Sequence, residues 1–104
     1  MAKFLFFANS TTDAAAIRAD RVTDIEIYDE GSTVAGVKVH FLHNDNTAGS
    51  VILDTTSNTA TLTAAREIAR ICAQKDGRFI TIADDVNSIY VDGVEACGTI
   101  AHSD

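Results

Sequence analysis

Two stretches of the chain hold residues that could do chemistry. In His40-Phe41-Leu42-His43-Asn44-Asp45-Asn46, two of the three histidines stand beside a carboxylate and two amides, donor types that suit a zinc or catalytic site. In Asp84-Asp85-Val86-Asn87 and the nearby Asp92, side-chain oxygens cluster as they would to hold calcium or magnesium. Both readings depend on backbone geometry. Ligands on a strand share a face only at i and i+2, and His40 and His43 are three apart. That spacing suits a helix, yet Val37-Lys38-Val39-His40-Phe41 alternates as a strand does. His40 is therefore expected on the surface beside Lys38. His43 is expected at the strand end, with Asn44, Asp45 and Asn46 forming a turn. A metal site would need that turn to redirect His43 toward ligands from elsewhere. Asp84, Asp85 and Asp92 lack the D-x-D-x-D-G spacing and distal glutamate of a calcium loop. They are expected as turn formers, with peripheral divalent binding at most.

Other catalytic signatures are missing. There is no G-x-S-x-G elbow, no glycine-rich phosphate loop and no C-x-x-C pair. Cys72 and Cys97 lie 25 positions apart, and both are expected to act as small buried hydrophobes in a reducing interior. The expectation is a protein that is not an enzyme and that carries no cofactor.

The elements that position these residues are mostly strands. Lys3 to Ala8 places Phe4 and Phe6 on one face and Leu5 and Phe7 on the other. Two apolar faces imply a strand that is central or buried between subunits. Asn9 to Asp13 reads as a turn. Arg21 to Tyr28 reads as a second strand with Ile25 and Ile27 inward. Val37, Val39 and Phe41 line a third, and Ser50 to Thr55 form a fourth, so that successive strands make an antiparallel meander. In TLTAAREIARICAQKDG the period changes: Leu62, Ala65, Ala69 and Cys72 recur at helical spacing, widened by Ile68 and Ile71. The helix is expected near 61–75, capped by Thr61 or Thr63. Arg78 to Ala83, Ser88 to Val91 and Glu95 to Ile100 follow as strands, with Asp92-Gly93 expected to be a two-residue hairpin turn.

At 104 residues the chain fits one domain, residues 1–104. About seven short strands and one helix predict an α+β protein, mainly β. A small curled antiparallel sheet or an Sm-like barrel, packed by the helix, would bury most apolar surface. A formal charge of −7 argues against nucleic acid, whose backbone is held by clustered Lys and Arg. The start, MAKFLFFANS, has too short an apolar run for a signal sequence, and nothing reaches the ~20 apolar residues of a membrane span. A host-cell cytoplasm or a virion, rather than secretion, is expected.

Four segments, MAKFLFFANS, DRVTDIEIYDE, AAREIARICAQ and FITIADDVNSIYVDG, give the chain an overall layout that resembles small uncharacterised proteins of marine bacteriophages, especially those infecting cyanobacteria. The resemblance implies a virion-associated or accessory role without catalytic residues; the cysteine pair is a departure from it. Together these readings predict a non-enzymatic, self-associating module with Phe4 and Phe6 in the contact. The alternative is an Sm-like ring that binds nucleic acid, and a third reading is a metal-dependent protein using His40, His43 or the 84–92 loop.

Overall fold

The computed structural model describes residues 3–30, 33–42, 47–74 and 77–101. Among them are eight strands and one α-helix, the mainly β composition expected. In chain order they are β1 (Phe4–Ser10), β2 (Asp13–Arg18), β3 (Val22–Glu30), β4 (Thr33–Leu42), β5 (Ala48–Thr55), α1 (Asn58–Ala73), β6 (Phe79–Asp84), β7 (Ile89–Tyr90) and β8 (Val94–Ala101). The strands form two four-stranded sheets, ordered β2-β1-β6-β7 and β3-β4-β5-β8.

The second sheet contains the meander that alternation predicts. β3, β4 and β5 pair antiparallel, with Ile25 opposite Val39 and Val39 opposite Val51. Paired residues share a face, so Val37, Val39, Val51 and Leu53 form one layer, each fully buried. Ile27 was expected inward with them but is 45% exposed, since β3 is an edge strand.

The helix has the expected period with a shifted phase. Its buried residues are Thr61, Ala64, Ile68 and Ile71, while Leu62 is 51% exposed. The stripe starts on a threonine because Thr61 has partners. Its hydroxyl lies 2.5 Å from the Thr55 hydroxyl and donates to the Ser57 carbonyl at 2.9 Å, which removes the cost of burying it. The cap is Ser57, not Thr61 or Thr63: its Oγ accepts from the Ala60 N–H at 3.1 Å. At the other end the ammonium of buried Lys3 donates to the Ile71 carbonyl, a cation placed at the negative end of the helix dipole.

Three further expectations are corrected. β2 lies where a turn and an unassigned stretch were read. Its alanines have low strand propensity, and an alternation of one alanine with another cannot be seen in sequence. β1 pairs antiparallel with β2 but parallel with β6. The long excursion through the second sheet and α1 supplies the crossover that parallel pairing requires. Asp92-Gly93 is a turn but not a hairpin: β7 pairs with β6, whereas β8 pairs with β5 in the other sheet. Gly93 has φ +92°, and a Cβ there would sit 2.4 Å from the Ala60 carbonyl oxygen, so the turn is pressed against the start of α1.

The sheets share one core, in which Leu5, Phe7 and Ile82 of the first meet Val37, Phe41 and Leu53 of the second and Ile68 of the helix. They remain two open sheets rather than the closed Sm-like barrel that was the second form expected.

Candidate functional site

The sequence-predicted metal residues are not brought together. His40 is half-buried on the outer face of β4, where its Nε2 lies 2.6 Å from Glu26 Oε1 on β3. His43 lies outside the described residues. Asp92 sits exposed in the turn before β8. Asp84 is buried and committed to its own loop. Its Oδ1 accepts the N–H groups of Val86 and Asn87 at 3.0 and 3.1 Å, and its Oδ2 accepts the Asn87 side-chain amide at 2.9 Å. The Asn87 amide does most to hold this carboxyl below its ordinary range; the two backbone N–H groups add to it and burial opposes them. Among the described residues no three His, Cys, Asp or Glu side chains are arranged to hold a metal ion.

Asp85 does something the sequence did not disclose. Its Oδ1 accepts the Tyr90 hydroxyl at 2.7 Å and the backbone N–H of Cys97 at 2.9 Å. Nearby, Asp13 Oδ2 accepts the Ile100 N–H at 3.3 Å and the Asn9 side-chain amide at 3.2 Å. Asp13 and Asp85 are on the first sheet's side and Cys97 and Ile100 are on β8, so two carboxylates stitch one sheet to the edge of the other. The two N–H groups are thereby paired with side chains of the first sheet's side rather than with a further strand of the second.

A bulge makes this possible. Cys97 lies opposite Leu53 and Ile100 opposite Val51, three steps on β8 against two on β5. N–H groups three residues apart in a regular strand point to opposite edges; the extra residue brings both to one edge. Gly98 sits in the bulge, where a Cβ would lie 2.6 Å from the Ile52 carbonyl oxygen.

The donors in this seam titrate high. Bonding to Asp85, then burial and nearby carboxylate charge, pushes the Tyr90 phenol to about 12. Burial first, then the charges of Asp85, Asp13 and Asp54, pushes the Cys97 thiol to about 12. Cys72 is raised by burial, with the Lys3 ammonium opposing. A thiol nucleophile needs the reverse, a pKa lowered toward neutrality.

The other feature is the outer face of the first sheet. With Leu5 and Phe7 turned into the core, Phe4 is 37% exposed and Phe6 is partly buried. Phe79 on β6 is 62% exposed, pairs with Phe4, and has its ring centroid 5.6 Å from that of Phe6. On β2, Ala16 pairs with Phe6 and Ala14 with Ala8, and both alanines are exposed. Arg18, opposite Phe4, ion-pairs with Asp20 at 2.8 Å. The outer face of the second sheet is a contrast within the same molecule: there Asp24 pairs with His40 and Glu26 with Lys38, the composition of a solvated surface.

No family model, curated protein or solved structure matches this chain. No helix among the described residues is long and apolar enough to cross a membrane.

Proposed function

We propose that the protein is a non-enzymatic, self-associating interaction module whose contact surface is the outer face of the first sheet, centred on Phe4, Phe6 and Phe79. The observation that carries the reading is the exposed Phe79 ring beside Phe6, on a face where β2 presents Ala14 and Ala16 and its Arg18 is paired with Asp20. Contiguous exposed aromatic surface of this kind marks interaction sites, and Phe is enriched at the buried centres of interfaces. The resemblance to small marine-bacteriophage proteins suits a virion component, where many copies of one chain meet.

Sedimentation across micromolar to millimolar concentrations tests this. Wild type is expected to associate, more strongly at high salt because screening relieves repulsion between chains of formal charge −7. Phe79→Ser with Phe4→Ser is expected to return it to monomer with the fold intact by circular dichroism. A wild type that stays strictly monomeric over that range would end the proposal.

A further inference from the structure

We infer that the cleft between β3 and the C-terminal end of α1 receives Phe79 of a second copy. The inference rests on the aromatic-face reading and names where on the partner that face docks. The cleft holds about 520 Å³, walled by Ala19, Val22 and Ile25 on one side and by Ala69, Cys72 and Ala73 on the other. It is open because α1 turns small side chains toward β3. Ala69 and Ala73 are exposed and Cys72 is half-buried. Ile27, on the same face of β3 as Ile25, is 45% exposed. The fold thus leaves an apolar strip of its own helix uncovered.

Size, position and charge all point to Phe79 as the occupant. Among the described residues Phe79 is the most exposed large apolar side chain, at 62%, and aromatic rings are enriched at the buried centres of interfaces. The cleft is of the size that takes a whole small ligand, so it has room for a single ring. Cleft and aromatic face adjoin across Lys3. The Lys3 carbonyl accepts the Ala19 N–H at 2.8 Å, its ammonium donates to the Ile71 carbonyl beside Cys72, and the next residue is Phe4. Arg78, which precedes Phe79, donates to the side chain of Gln74, the residue after Ala73, at 3.5 Å. With ring and recess side by side, two copies can exchange them mutually about a twofold axis. Asp24 is the charged residue lining the cleft, whereas Arg78 and Arg18 flank Phe79 and Phe4.

Alkylation by iodoacetamide tests this on the full chain, with Cys72 and Cys97 followed separately by mass spectrometry. Cys72 lines the cleft and Cys97 is buried in the core. In wild type, alkylation of Cys72 is expected to slow about tenfold as rising concentration leaves about one chain in ten unassociated. Phe79→Ser is expected to show one Cys72 rate at every concentration. Ala69→Phe fills the recess from its helix wall and leaves the aromatic face intact; it is expected to weaken association about tenfold or more.

Wild type that associates while Cys72 reacts at one rate throughout overturns the docking and leaves the aromatic face as the contact. So does a folded Ala69→Phe that associates as wild type does, or protection of Cys72 that survives Phe79→Ser. Wild type that stays monomeric ends both readings. Should Ala69→Phe fail to fold, the Cys72 rates of wild type and Phe79→Ser decide alone.

Discussion

Asp85 reaches from the end of one sheet to the backbone N–H of Cys97 in the other, 2.9 Å away. The same oxygen receives the Tyr90 phenol at 2.7 Å. A side chain from the first sheet's side thus ties the backbone of the second, and the two open sheets share one core.

The Tyr90 bond sets a pH dependence at the alkaline end. The phenol is raised from its ordinary 10.0 to about 12 because it donates to a carboxylate. Folding favours its protonated form, so its contribution to stability is complete below pH 10.0 and is lost as pH rises toward about 12. Absorbance titration of the folded chain should show Tyr90 ionising late, and Asp85→Asn should bring it earlier. Unchanged ionisation in that variant would contradict the assignment.

At the acid end the sign reverses. Asp84 is held below its ordinary carboxyl value of 3.8 chiefly by the Asn87 amide. Folding favours the ionised form, so the stability it contributes is present above pH 3.8 and is lost as pH falls through the lowered value. Urea midpoints measured from neutral to acid pH should fall less steeply below that point in Asn87→Ala than in wild type.

Gly98→Ala tests the bulge. A methyl group 2.6 Å from the Ile52 carbonyl oxygen must push β8 away from β5. A loss of about 1–3 kcal/mol is expected, in the range of other overpacking changes. Urea unfolding measures it, and amide exchange at Cys97 and Ile100 should quicken in the same variant. Wild-type stability would show that the strands are not so closely apposed.

The phase of α1 separates two substitutions that look alike in sequence. Ile68 is fully buried and Leu62 is 51% exposed. Ile68→Ala should cost about 2–5 kcal/mol, while Leu62→Ala should stay within about 0.5 kcal/mol of wild type. Equal losses in denaturant unfolding would put the helix in the orientation its apolar residues alone suggest.

What the sequence determined was set by local periodicity. The alternation at Val37, Val39 and Phe41 required a strand with His40 outward, and the structure shows both. The run around Ile68 and Ile71 required a helix, and one is present from Asn58 to Ala73. The aromatic face was half visible, since Phe4 and Phe6 alternate with Leu5 and Phe7; Phe79, 75 positions from Phe4, joins them only through the parallel pairing of β1 with β6. β2 was hidden because alanine beside alanine shows no pattern. The helix phase was misread because Thr61 is buried with its hydroxyl satisfied by the Thr55 hydroxyl and the Ser57 carbonyl.

Most of all, the roles of Asp13 and Asp85 needed the tertiary structure. In sequence they stand in turn-like stretches 72 positions apart, and their bonds run to backbone N–H groups, which every residue but proline carries. No residue type announces such a partner. Periodicity says which way a side chain faces, but only the meeting of two sheets decides what it finds there.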